Sequence, residues 1–253
     1  MTIACGDREV EGVYVTSAGE GETEGAVVLL CHGRGADEND LVPLGVQLVK
    51  RWAGECGTPT AVFCPRGLYD MGYGSYAWWL LNMDDYRRTG SIAGAYDAIS
   101  ESIPDGLEAS ADALVGVANA LMQGKDGASL VLAGFSQGAI LATHTLLTRC
   151  ASLPAPPALL VVMSGHVVAG PEWRSALQHK EEEGKGLLFA STRVVQSHGT
   201  EDGVLPYDRG LVLRDMLEDA GLDVTFVAFE DGHTLAPFAI DAFADAVCGF
   251  IDV

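Results

Sequence analysis

Most of the strand-like runs in this chain are apolar without interruption, and that property restricts the fold more than any other. Six such runs end in turn residues: AVVLLC at 26–31, TAVFC at 60–64, SLVLA at 129–133, ALLVVM at 158–163, RVVQS at 193–197 and VTFVAF at 224–229. A strand with one face in water alternates apolar and polar residues, whereas a strand covered on both faces has no reason to. Between the runs lie segments of helical period. Leu41, Leu44, Leu48 and Trp52 form one apolar stripe, and Leu107, Leu114, Val117 and Leu121 a second. A third, Val212, Leu213, Met216 and Leu217, falls in 207–220, with Gly221 placed to end it in a left-handed cap. Leu235, Phe238, Ala242, Val247 and Phe250 space out a last amphipathic helix. Strand alternating with helix requires right-handed crossovers, so the expected architecture is α/β, a mostly parallel central sheet with helices on both faces. The more polar VEGVYVTS near the start predicts an antiparallel edge strand.

At 253 residues the chain is long enough for one large core, and residues 1–253 are expected to form a single domain. SLPAPPA at 152–158 reads as a stiff loop within it, and HKEEEGKG at 179–186 as a solvated surface turn. The longest irregular piece, RGLYDMGYGSYAWWLLNMDDYRRTG at 66–90, is rich in Trp and Tyr and is therefore expected to be ordered. Fifteen Lys and Arg against 35 Asp and Glu leave a formal charge of -20, a field that repels phosphate backbones and acidic membranes. That excludes nucleic acid as a partner and counts against highly anionic substrates.

Cys5, Cys31, Cys56, Cys64, Cys150 and Cys248 show no CxxC pair and no zinc-ligand rhythm with the histidines, so no metal site is expected. Several lie in apolar runs where a reduced thiol acts as a small core residue, which points to the cytoplasm. Asp7, Arg8, Glu9 and Glu11 argue against a secretory apolar region at the start, and no apolar stretch approaches the roughly 18 residues of a membrane span. Stable membrane anchoring is not expected.

In a parallel sheet the reactive groups gather beyond the carboxyl ends of the strands. Ser136, in GFSQGA, follows a strand and opens a helical segment, with Gly134 and Gly138 two residues to either side. That is the pattern of a nucleophile elbow, whose sharp turn pushes a serine hydroxyl out of the sheet and leaves no room for flanking side chains. A hydroxyl becomes nucleophilic only when a base takes its proton and an acid orients that base. Of the downstream histidines, His144 falls in the following helix, His179 in the charge run, and His198 has no obvious acid before it. His233 follows VTFVAF by a short loop and is the candidate base. Glu201, Asp202 and Asp208 lie between, and Asp202 is the candidate acid. Acyl transfer also needs N–H donors aimed at the oxyanion. One would come from Gln137, directly after the serine, and the other from Arg34 in LLCHGRGADEND, where Gly33 and Gly35 allow close backbone approach. Neither an organic cofactor nor a metal is needed for this chemistry.

With those residues in place, the chain resembles the phospholipase and carboxylesterase family of α/β-hydrolases, which includes the acyl-protein thioesterases. The resemblance rests on LLCHGRGADEND, PRG at 65–67, AWW at 77–79, GFSQGA, SG at 164–165, HGTEDGVLP and DGH, in the family's order over nearly the whole chain. It implies an α/β-hydrolase fold and carries the triad onto Ser136, Asp202 and His233, with oxyanion amides at Arg34 and Gln137. It also implies that Trp78, with Trp79 beside it, lines a substrate pocket on the acyl side, where composition alone would place both in a core or lid. The implied activity is that of a serine carboxylesterase on a small ester or acylated substrate. The alternatives are a thioesterase or lysophospholipase for long acyl chains, and a catalytically silent binding protein on the same fold. The chain departs from the family pattern in GFSQGA for GFSQGG, in Arg34 at a place often apolar, and in AWWLLN.

Overall fold

The structure is a computed structural model that describes residues 1–19, 22, 24–57, 59–178 and 187–251. The charge run at 179–186 lies outside the described residues. All six strand-like runs are strands: β3 (Ala26–Cys31), β4 (Thr60–Pro65), β7 (Ser129–Phe135), β8 (Leu159–Met163), β9 (Arg193–Gly199) and β10 (Asp223–Phe229). They pair in parallel in the order β4-β3-β7-β8-β9-β10. Two N-terminal strands, β1 (Thr2–Cys5) and β2 (Arg8–Thr16), extend the sheet to eight, with β2 antiparallel to β4 and β1 antiparallel to β2. The VEGVYVTS segment is thus antiparallel as expected, but it is not the edge. A four-residue strand reached through a tight turn at Gly6, φ +67°, covers it.

Uninterrupted apolar runs arise because successive residues enter two different cores. In β3, Val27, Leu29 and Cys31 pack on one face and Ala26, Val28 and Leu30 on the other. The first face is covered by α4 (Leu107–Met122), α5 (Gln137–Arg149), α6 (Gly170–Gln178) and α7 (Tyr207–Asp219). The second is covered by α1 (Val42–Glu55) and α8 (Pro237–Ile251). Leu44, Leu48 and Trp52 are buried along α1, and Leu107, Leu114, Val117 and Leu121 along α4, as their spacing requires. Leu213 and Leu217 hold α7, whereas Val212 is exposed. Gly221 has φ +88° and its N–H donates to the Glu218 carbonyl, so this helix ends in the expected left-handed cap. The stripe of α8 is displaced from its expected place. Phe243, Ala244 and Val247 are buried while Phe238 is exposed, because Trp52 docks on the helix here and donates its indole N–H to the Ala244 carbonyl at 3.1 Å.

Residues 66–90 are ordered into a hairpin, β5 (Tyr69–Gly72) and β6 (Ser75–Ala77), followed by α2 (Met83–Thr89). A further short helix, α3 (Ile92–Ala98), starts at Ser91, whose hydroxyl accepts the Gly94 N–H at 3.0 Å.

One cysteine expectation is corrected. Cys31, Cys64 and Cys150 are free and buried, but Cys56 and Cys248 form a disulfide with Cα atoms 5.5 Å apart. Cys56 caps the C-terminus of α1 and Cys248 lies on α8. The same helix pair is bridged by Arg51 to Asp241 and Asp245, each at 2.6 Å. A sequence separation of 192 puts this pairing beyond reach of any spacing rule. Closing so long a loop restricts the unfolded chain, so reduction should lower the unfolding free energy by about 2–4 kcal/mol. Urea melts with and without reductant measure it, and a Cys56→Ala, Cys248→Ala double variant should be insensitive to the reductant.

Candidate active site

The strand order changes direction at β3, since β4 lies to one side and β7 to the other. A crevice opens beyond the carboxyl ends of strands at such a switch point. Ser136 stands directly after β7 with φ +54° and ψ −119°, a strained backbone for a side-chain-bearing residue. The glycines make that turn achievable. A Cβ on Gly134 would run into the backbone of Gly138 and Ala139 in α5, and one on Gly138 into the carbonyls of Cys31 and His32 after β3. The turn is thus wedged between a helix and a neighbouring strand, and both flanking positions must lack side chains.

Three strand ends meet here. Ser136 Oγ–H points to His233 Nε2 at 2.9 Å, and His233 Nδ1–H to Asp202 Oδ2 at 2.6 Å. The second oxygen of Asp202 accepts the N–H groups of Val204 and Leu205, both at 2.8 Å. Asp202 is fully buried at its side chain and His233 is 15% exposed, so the carboxylate is sealed while the imidazole reaches the surface. Burial pushes the Asp202 carboxyl up. The hydrogen bonds from His198 and His233 and the Leu205 N–H outweigh it and hold the group well below the usual carboxylate range. Glu201 and Asp208, the other acids considered, are exposed. The imidazole of His233 also lies against Phe135, with ring centres 4.8 Å apart.

His198 is a neighbour that sequence reasoning passed over. It is fully buried on β9, donates from Nε2 to the Leu205 carbonyl at 2.8 Å, and lies 3.4 Å from Asp202 Oδ2. It thus braces both Asp202 and the loop whose amides hold it. The available signal was its position at the end of RVVQSHG, in the strand that leads to Asp202.

The HGRG loop reaches the serine from β3, and a Cβ on Gly33 would sit 3.4 Å from that of Ser136. Its shape is fixed by several fasteners. The His32 ring donates from Nδ1 to the Gly33 carbonyl at 2.7 Å and accepts the Gly67 N–H at Nε2 at 2.9 Å. Arg66 binds Glu38, and the Gly35 N–H donates to the Tyr76 carbonyl at 2.8 Å. These contacts explain why PRG accompanies HGRG in the sequence. The N–H groups of Arg34 and Gln137 donate to no other described residue, and Gln137 opens α5, where the helix dipole favours negative charge.

Trp78 and Trp79 do not line the space beside Ser136; at 1% and 0% exposure they are core residues. Trp78 donates its indole N–H to the His32 carbonyl at 2.9 Å and its backbone N–H to Gln137 Oε1 at 2.9 Å. Gln137 Nε2 donates in turn to the Trp79 carbonyl at 2.9 Å. The AWW segment therefore locks the HGRG loop to the elbow. The substrate-binding assignment of these two residues gives way to a positioning one, because large rings without access to the crevice can act only through what they hold.

The crevice itself is a cavity of about 180 Å³ bounded by Arg34, Ile92, Tyr96, Phe135, Val204 and the Ser136–His233 pair. Ile92 and Tyr96, four residues apart on α3, present one helical face to it. No cluster of metal-binding side chains occurs among the described residues, and none of their helices is long and apolar enough to cross a membrane.

The sequence matches the model of the family described as Phospholipase/Carboxylesterase over residues 14–245. It is 28% identical to acyl-protein thioesterase 1 of Neurospora crassa over 117 residues, 46% of this chain and 44% of that protein. The matched part thus spans less than half the length of that relative. Among solved structures, acyl-protein thioesterase 2 of Zea mays superposes with a TM-score of 0.70 at 19% identity, covering 95% of this chain and 100% of that one. A structure described as esterase PE8 gives 0.67 at 23% identity, covering 94% and 97%. The Bacillus cereus carboxylesterase gives 0.61 at 20% identity, covering 92% and 91%. At such identities the superpositions speak for a shared α/β-hydrolase fold.

Proposed function

Since the chain belongs to the phospholipase/carboxylesterase family, we propose that it is a serine carboxylesterase that hydrolyses small carboxylic esters through an acyl-enzyme on Ser136. The observation that carries this reading is the continuous pair of contacts, 2.9 Å from Ser136 to His233 and 2.6 Å from His233 to Asp202, in residues drawn from three separate strand ends. In the proposed reaction His233 Nε2 takes the Ser136 proton as Oγ attacks the ester carbonyl. The negative charge that develops on the carbonyl oxygen is met by the N–H groups of Arg34 and Gln137, preorganised and without partners among the described residues. His233 then gives its proton to the departing alcohol. Water enters, loses a proton to the same nitrogen, and releases the acid. Asp202, kept ionised by its hydrogen bonds, holds the imidazole in the required tautomer and stabilises its cationic form.

A small cavity favours short acyl groups: about 180 Å³ is below the roughly 300–1,000 Å³ typical of drug-sized ligands. A second reading is thioesterase or lysophospholipase action on long acyl chains; a cleft of about 580 Å³ bounded by Tyr69, Leu80, Leu81 and Ile103 is large enough for such a chain, but it shares no bounding residue with the Ser136 cavity. Rates along an acyl series separate the two, since a maximum at short chains supports the first reading and a maximum at long chains the second. The silent binding reading is disfavoured by a complete set of reacting groups.

Treatment of the folded protein with a fluorophosphonate tests the proposal directly. One adduct, mapped to Ser136 and absent from heat-unfolded protein, is expected; an unlabelled serine under these conditions refutes it. As to location, we propose the cytoplasm on the strength of the free thiols, while the Cys56–Cys248 bridge runs against it. Trapping thiols in the host before lysis decides, six free thiols supporting the cytoplasm and four refuting it.

A further inference from the structure

Acids outnumber bases by 35 to 15 in this chain, so a cation without a carboxylate beside it calls for an explanation. Arg51, Arg66, Arg149, Arg174 and Arg209 are all in ion pairs. Arg34 forms none among the described residues, although it bounds the same cavity as Ser136. Its Nε is buried without a hydrogen-bond partner among the described residues. A half-buried guanidinium in that condition loses hydration with no compensating contact, an arrangement that persists where a ligand supplies the missing acceptor.

A second, independent group faces the same space. Tyr96 is 2% exposed, bounds the cavity, and its hydroxyl has no partner among the described residues. Burial pushes that phenol well above its ordinary value, so at neutral pH it keeps its proton and can donate. Nearby carboxylates are committed elsewhere: Asp97 to Arg209 at 3.0 Å, and Asp202 to His233. Two residues that bound the cavity therefore carry a planar cationic donor and a phenolic donor, and the buried Arg34 Nε and the Tyr96 hydroxyl have no acceptor among the described residues.

We propose that the Arg34 guanidinium and the Tyr96 hydroxyl form a carboxylate-recognition subsite beside Ser136, so that the preferred substrates are short esters bearing one carboxylate. A carboxylate suits this donor set because it accepts two N–H bonds from the guanidinium fork and retains a lone pair for a hydroxyl. The negative charge of the whole protein opposes the approach of anions, but at contact distance the local cation outweighs a mean field screened over about 8–10 Å. Arg34 thereby acquires two roles, its backbone N–H toward the oxyanion and its side chain toward the substrate's charge. The subsite deepens the esterase reading and rests on it for turnover, though not for binding.

The test uses the full chain with Ser136→Ala, so that binding is read without chemistry, and a matched pair of probes, monomethyl glutarate and dimethyl glutarate. Calorimetry should show the anionic ester binding about tenfold more tightly or better, as expected of charge-assisted hydrogen bonds. Arg34→Gln on that background should abolish the preference, and Tyr96→Phe, which keeps the ring, should reduce it. Equal or tighter binding of dimethyl glutarate overturns the proposal. So does a preference that survives Arg34→Gln in folded protein, or no binding of monomethyl glutarate at millimolar concentration. With Ser136 present, the ratio of kcat/KM for acidic and neutral esters is read within each variant, so that any loss common to both cancels. A binding preference without turnover of either ester counts against the esterase reading and leaves the subsite standing; turnover of the neutral ester alone does the reverse.

Discussion

On the proposed mechanism Asp202→Asn should slow ester turnover by about 10⁴-fold and leave the protein folded, the magnitude expected when an acid that orients a catalytic imidazole becomes an amide. The reason lies in hydrogen-bond direction. Oδ2 accepts from His233 Nδ1–H at 2.6 Å, and Oδ1 accepts from two backbone amides. An amide can keep only one of its two ends as an acceptor. If the oxygen stays with the Val204 and Leu205 amides, the NH₂ faces His233 and forces the proton to Nε2, where it cannot receive the serine's. Glu201→Gln, at an exposed neighbour, serves as the control and should be near wild type. A mild Asp202→Asn with a damaging Glu201→Gln reverses the assignment. Stability adds a separate reading. Because hydrogen bonding depresses the folded carboxyl, its contribution is fully present above the unfolded value near 3.9 and is lost as pH falls through the lower folded value. The wild type should therefore lose stability relative to Asp202→Asn only below about pH 4.

Ser136→Ala removes the proposed nucleophile, and the rate should fall on the order of 10⁶-fold, to what positioning and oxyanion stabilisation alone sustain. The same site offers a conformational test that does not depend on activity. With φ +54° and ψ −119°, Ser136 occupies backbone space open mainly to glycine, at a cost of about 1–3 kcal/mol. Ser136→Gly should therefore be inactive yet more stable than Ser136→Ala, measured as a higher urea midpoint. Equal midpoints for the two variants count against stored strain at the elbow.

Both experiments address residues that could be found before any coordinates. Ser136, Asp202 and His233 were legible because each stands just beyond a strand, and strand ends are visible as apolar runs meeting turn residues. The sheet was legible for the same reason, since burial on two faces leaves no polar position to break a run. Reading failed where a residue's role depends on a partner remote in the chain. Trp78 looks like a pocket residue until its indole is seen on the His32 carbonyl, 46 residues away. His198 gained a role only once the 201–205 turn folded back beneath it. In α8 the stripe was misplaced because Trp52, from another helix, selects which side of an apolar segment is covered. The short α3 had too few turns to display a period, yet it delivers Tyr96 to the cavity.

From the order of its residues alone, then, this chain determined its layers, the strand ends that border the crevice, and the three residues, Ser136, Asp202 and His233, that meet there. All of these are written as local pattern, because periodicity and turn geometry act between near neighbours. Tertiary structure decided the rest: the Cys56–Cys248 bridge, the bracing by His198 and Trp78, the size of the cavity, and an arginine beside the serine without a counter-charge among the described residues. Those depend on which distant surfaces come into contact, and contact between distant surfaces is settled by packing in three dimensions.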